Sequence, residues 1–182
     1  IVVDADEKSG GTTAMSGGVI QAAGTQWQKE FTDFQDDTPE KHAQCYMEQA
    51  EGIGHEDLIT TMCNRAPELI EWLSTIGIKW VNVYGNCHVP YVTEGLHADR
   101  IHVYEGGGAG GQGGVLTDAE TGEAERLGAT FEYNTCAKRL VFAEGKGVMG
   151  AIVERDGAEL AIKAAKGVIL ALGGIDRAED LC

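Results

Sequence analysis

Two clusters of residues in this 182-residue chain have the types and spacing to handle a phosphate-bearing ligand. The first starts at Asp4, which closes the apolar run Ile1-Val2-Val3, and continues in Gly10-Gly11-Thr12-Thr13-Ala14-Met15-Ser16-Gly17-Gly18. An acid at the carboxyl end of a strand can accept hydrogen bonds from ribose hydroxyls. Glycines let backbone amides approach a pyrophosphate or a flat ring closely. The plainer reading makes Asp4 a solvated strand-end acid and the glycines turns. The second cluster, Gly106 to Gly114, satisfies GxGxxG at Gly106, Gly108 and Gly111 and again at Gly108, Gly110 and Gly113. A strand-like stretch over 101–104 precedes it, a helix can follow, and Glu132 lies near the end of the next strand, so it is formally an NAD(P)-type dinucleotide fingerprint. Seven glycines in nine residues satisfy many patterns by chance, and Arg100 and His102 replace the expected buried apolar run. A structural or active-site glycine loop is the better reading.

Other reactive side chains are less suggestive. His88, His97 and His102, with Asp99 and Arg100 between them, have spacings that fit no common metal-ligand pattern, so they read as surface or loop histidines. Cys87 and His88 are adjacent, and in an extended segment their side chains point to opposite faces, which reads as a plain loop. Arg100 and His102 alternate on one face and could reach a substrate carboxylate. Asp36 and Asp37 read as a solvated helix start. The cysteines at 45, 63, 87, 136 and 182 lack CxxC spacing and read as reduced thiols, with no zinc site or disulfide framework.

The elements that must position these residues alternate in type. Residues 1–3 read as a buried parallel strand, and an apolar run follows over 19–23. A helix should start at Thr38-Pro39 and reach about residue 51, with Thr38 as cap. A second helix is expected over 56–75, broken or kinked at Pro67 and stopped by Gly77. Residues 78–84 read as a strand, 85–100 as irregular, and 114–127 as a helix weakened by Thr121-Gly122. The last third is β-rich, with strands over 129–133, 137–143, 148–155 and 159–164. Turns at Gly145-Lys146-Gly147 and Asp156-Gly157 make a meander. Residues 167–171 should return as a strand buried on both faces and stop at Gly173-Gly174. The pattern predicts an α/β fold: a parallel sheet with helices and an antiparallel β-meander.

One domain is expected at this length. A net charge of −15 argues against nucleic acid or anionic lipid as partner. No apolar run approaches the roughly 20 residues needed to span a bilayer. Compartment stays open, with a cytoplasmic setting as the default and an upstream targeting segment compatible with a chain that opens inside a strand.

Taken in order, these residues resemble the FAD-dependent fumarate reductase and succinate dehydrogenase flavoproteins, with urocanate reductase and the 3-ketosteroid dehydrogenases among their soluble relatives. The resemblance rests on Asp4 with Gly10-Gly11 and Ser16-Gly17-Gly18, on Asp37-Thr38-Pro39-Glu40, on Trp72-Leu73 through Gly77, on Gly106 to Leu116, and on the meander with Ala171-Leu172-Gly173-Gly174. It implies a Rossmann-like FAD-binding fold lacking its first β-α unit, so that residues 1–182 would be one incomplete domain without the capping domain and the C-terminal FAD segment. It places Asp4 at the adenosine ribose, Ser9, Gly10, Gly11, Thr12 and Thr13 along the pyrophosphate and ribityl chain, Gly17 and Gly18 at the isoalloxazine, the Ala137 backbone near the adenine, and Gly173 and Gly174 beside the cofactor, with Ser16 and Ala171 also among the cofactor-binding residues. Gly11 stands where membrane-bound relatives carry the histidine that attaches FAD, so the flavin should be non-covalent, and a fragment of this kind should retain it weakly or not at all. Leu172 replaces a usual threonine, and Glu120-Thr121-Gly122 sits where an apolar helical face is expected.

The implied reaction is hydride transfer between flavin and an activated carbon–carbon bond of a small molecule of fumarate, urocanate or 3-ketosteroid type. The family's proton donor lies beyond residue 182, so no catalytic residue is assigned. The alternative is a non-catalytic fragment that self-associates through an exposed sheet edge into a homo-oligomer.

Overall fold

The computed structural model describes residues 1–85, 89–107 and 112–174. Cys87, His88, Gly108, Gly110, Gly111 and Cys182 lie outside the described residues. In chain order the first elements are β1 (Val2–Val3), α1 (Gly11–Met15), β2 (Val19–Gln21), α2 (Gln26–Phe31), α3 (Pro39–Gln49), α4 (Glu56–Thr75) and β3 (Trp80–Tyr84). They are followed by β4 (Ile101–Tyr104), α5 (Gly114–Arg126), β5 (Phe131–Glu132), β6 (Cys136–Ala143), β7 (Gly147–Arg155) and β8 (Ala158–Lys163). Two compact units emerge: one joins residues 1–12 to the chain from 121 onward, and the other comprises residues 13–120.

The 13–120 unit is built on an antiparallel sheet in the order β2-β4-β3. Helix α3 starts where its caps dictate: Pro39 needs no amide partner at the first position, and the Thr38 hydroxyl accepts from the Lys41 amide at 3.3 Å. Helix α4 turns Cys63, Ala66, Ile70 and Leu73 inward at helical spacing, and the last three pack with Ala22, Ile78, Trp80 and Tyr104. Trp80 ties sheet to helix, donating from Nε1 to the Ser74 hydroxyl at 2.9 Å while its ring meets His102 and Tyr104 edge-on. Helix α4 is not broken at Pro67, which lies inside it. The short helix α2 was not anticipated; Thr25 nucleates it by accepting from the Gln28 amide at 3.0 Å.

In the other unit, β1 and β5 form a parallel pair, with Val2 opposite Phe131 and Val3 opposite Glu132. Strands β6, β7 and β8 form the expected antiparallel meander. The β7–β8 turn places Asp156 and Gly157 at φ of 53° and 75°, the positive values that a two-residue hairpin turn demands. The α/β reading with a parallel sheet and a meander is therefore correct. One strand is not: residues 167–171 lie outside any strand, and Ile169 is 93% exposed. Apolar composition states a preference for burial, but a strand forms only beside a partner, and no described strand pairs with this stretch.

Candidate functional site

Asp4 follows the parallel strand β1, its amide donating to the Glu132 carbonyl at 3.1 Å and its carbonyl accepting from the Thr135 amide at 2.8 Å. These bonds fix the backbone and leave the half-buried carboxylate to one local contact, from the Asp6 amide to Oδ1 at 3.0 Å. Ser9 is closed off at its hydroxyl, which meets Thr121 Oγ1 at 2.6 Å and Tyr133 Oη at 3.3 Å, so only its backbone is open to a ligand. Gly10 and Gly11 have φ of 130° and 47°, Gly11 has nothing within 4 Å of where a Cβ would stand, and Thr12 is exposed. Ala137 is an exposed residue of β6 paired with Val153. Ala171, Gly173 and Gly174 lie in the exposed, unpaired stretch after the meander.

In the 13–120 unit the same run ends in a tightly tied turn. Ser16 donates from its hydroxyl to the Thr13 carbonyl at 2.7 Å and accepts from the Gly18 amide at 3.3 Å, so its side chain builds the turn. Gln112 and Gly113 both donate their amides to the Ser16 carbonyl at 3.0 Å. A Cβ at Gly18 would overlap the Tyr104 hydroxyl, and one at Gly113 would overlap the Thr13 carbonyl oxygen. These two glycines are required by close approach. Gly17, by contrast, has open space on its Cβ side, and Thr13 is exposed. Tyr104 was not singled out from the sequence; its hydroxyl donates to the Gln112 carbonyl at 3.2 Å. Burial, then the charge of Glu120, raises its pKa, and burial raises that of Glu120. Glu120, an acid where an apolar helical face is expected, is partly buried.

The dinucleotide reading of Gly106 to Gly114 lacks its context. Strand β4 before the loop pairs antiparallel with both neighbours, and β5 after α5 belongs to a different sheet, so no parallel βαβ unit frames the glycines. The ends of the loop instead pack on Gly18, Tyr104 and the Ser16 turn.

Two further expectations are corrected. Asp37 is no solvated helix acid: it is 8% exposed and accepts from Arg100 Nε at 2.8 Å, Arg100 Nη2 at 2.7 Å and Gln28 Nε2 at 2.8 Å. Arg100, 4% exposed, is held by this pair and by the Leu96 carbonyl, to which Nη2 donates at 2.9 Å. Burial opposes the charge on Asp37, but the bonds from Arg100 and Gln28 and the guanidinium charge hold its carboxyl below the usual range. His102 is fully buried, not a surface histidine. Its Nδ1 donates to the Arg100 carbonyl at 2.9 Å and its Nε2 accepts from the Thr25 hydroxyl at 2.6 Å, a neutral tautomer consistent with burial lowering its pKa. The clue in the sequence was a charged residue beside a half-apolar strand, which must bury with a counter-charge or not at all. Cys45, Cys63 and Cys136 are free thiols, and burial pushes the Cys63 pKa up to about 11.

The profile of the FAD binding domain family matches residues 1–182. The probable fumarate reductase Ifc3 of Shewanella frigidimarina is 26% identical over 178 residues, 96% of this chain and 28% of that protein. The digoxin reductase of Eggerthella lenta is 35% identical over 68 residues, 37% of this chain and 12% of that protein. Among solved structures, the 3-ketosteroid-Δ4-(5α)-dehydrogenase of Rhodococcus jostii superposes with a TM-score of 0.80 at 27% identity, covering 92% of this chain and 39% of that one. The chain thus spans well under half the length of each relative, and within that span it belongs to the FAD-binding domain family of the fumarate reductase and succinate dehydrogenase flavoproteins.

Proposed function

We propose that this chain holds FAD for an oxidoreductase acting on an activated carbon–carbon bond of a small molecule, of the fumarate, urocanate or 3-ketosteroid type. The observation that carries the reading is the open stretch from Asp4 to Thr12. A strand-end carboxylate with one local contact among the described residues is followed by Gly11, with nothing within 4 Å of where a Cβ would stand, and by the exposed Thr12; within the 13–120 unit, Gly17 likewise has open space on its Cβ side. Donor set and space fit the group: an acceptor for ribose hydroxyls, and uncrowded backbone for a pyrophosphate and a flat ring.

Asp4 would hold the ribose, the Ser9, Gly10 and Gly11 backbone with the Thr12 and Thr13 hydroxyls would line the pyrophosphate, and Gly17 and Gly18 would lie against the ring. Bound FAD would supply the hydride chemistry. The chain's own part is orientation: Ser16 fixes the turn so that Gly17 presents backbone without a side chain, and Tyr104 backs Gly18. The names of the relatives, a fumarate reductase, a digoxin reductase and a ketosteroid dehydrogenase, support redox chemistry on compounds of that kind. The test is the absorbance spectrum of the purified full-length protein that carries this chain. Flavin bands released by denaturation are expected, and a colourless protein indifferent to added FAD would refute the reading.

A further inference from the structure

A cavity of about 760 Å³ opens in the 13–120 unit between β2, α3 and α4, with Val19, His42, Cys63, Leu69 and Trp72 in its lining. That volume is typical of small-molecule sites, and the walls are mainly apolar. Met62, Leu69 and Trp72 on α4 and Val19 on β2 remain 41–50% exposed along it. At its base lies His42, 2% exposed, with neither ring nitrogen hydrogen-bonded to any described residue. Buried polar atoms nearly always have partners, so an orphaned imidazole facing a void points to something that occupies it. His42 also borders a second cavity of about 210 Å³, beside Gln21, Gln49 and Arg100, with room for water.

The chemistry around the void selects the ligand. Burial foremost, and then the charge of Arg100, pulls the His42 pKa down to about 4, so the ring is neutral at pH 7 and offers one donor and one acceptor. Among the described residues lining the two cavities, the charged side chains are paired: Arg65 at the rim with Glu68 at 2.9 Å, and Arg100 with Asp37 at 2.7 Å. We propose that this groove binds an uncharged, mainly apolar small molecule carrying a hydroxyl group, with His42 as its polar anchor and Trp72 and Leu69 among its walls. A hydroxyl both donates and accepts, so it can satisfy either tautomer of the ring.

The probe is 2-naphthol, with naphthalene and 2-naphthoate as controls, titrated into the full chain and followed by fluorescence and by the ring-nitrogen NMR signals of His42. Expected are a shift of those signals, affinity about tenfold tighter than for naphthalene, as one hydrogen bond supplies, and no advantage for 2-naphthoate. His42→Phe should remove the tenfold difference, and Leu69→Glu, on the exposed rim, should weaken both neutral probes. If His42→Phe does not fold, the wild-type NMR shift alone decides. Unmoved His42 signals at saturating 2-naphthol would leave water as the partner and overturn the proposal. Equal affinities for 2-naphthol and naphthalene would do the same, as would a concentration-dependent dimer that buries Trp72 and excludes the probe.

Discussion

Asp37 and Asp4 are both aspartates next to a regular element, yet they serve opposite ends. Asp37, in the 13–120 unit, is sealed: three donors converge on it, and its partners Arg100 and Gln28 make further bonds to carbonyls of the same unit. Asp4, after β1, is held among the described residues through its backbone and one neighbouring amide. Polar groups that close on one another fix structure, whereas a polar group left open on a fixed backbone is available to a ligand. The same contrast separates Ser9 and Ser16, whose hydroxyls are committed, from Thr12 and Thr13, whose side chains are exposed.

The sealed side should break most sharply at its ion pair. Arg100→Ala leaves the Asp37 carboxylate buried without its counter-charge, and urea denaturation should show a loss of about 3–5 kcal/mol. Replacing both residues with apolar ones should cost much less; equal losses for the single and double replacements would mean that the pair is not the source. Next comes pH. The folded His42 pKa, about 4, lies below its unfolded value of 6.5, so between those values the unfolded chain binds more protons and stability falls as pH drops. Its contribution is full above pH 6.5 and should decline by up to about 3 kcal/mol on acidification to pH 4, a slope that His42→Phe should flatten. His102, also lowered by burial, acts in the same direction, while the depressed Asp37 carboxyl is lost only below its ordinary value of 3.8. The smallest effect expected is at the Ser16 turn: Gly113→Ala forces a methyl group onto the Thr13 carbonyl and should cost about 1–3 kcal/mol by thermal melt, against almost nothing for Gly17→Ala in the apo protein.

Much of this was legible in the sequence because it is local. Helix α4 runs from Glu56 to Thr75 as its apolar spacing requires, and the Thr38-Pro39 start and the Asp156-Gly157 turn follow from backbone chemistry confined to a few residues. What was missed depends on contacts distant in sequence. Nothing near Asp37 announces Arg100, 63 residues away, and nothing near residues 167–171 says that no described strand will lie beside them. The run Asp4 to Gly18 was legible as a candidate because it is contiguous. That Ser9 and Ser16 spend their hydroxyls on protein was not, since Ser9 bonds to Thr121 and Tyr133 from the far end of the chain.

The measurement that bears most directly on the open-against-sealed distinction is an FAD titration of the full-length protein with Asp4→Asn beside wild type, read by flavin fluorescence together with a urea melt. The substitution keeps an oxygen for the Asp6 amide but removes the charge. FAD affinity should fall about 10- to 100-fold, as for a lost hydrogen bond to a charged group, with stability unchanged to within about 0.5 kcal/mol. Unchanged FAD affinity, or a loss of stability comparable to that of Arg100→Ala, would contradict that distinction.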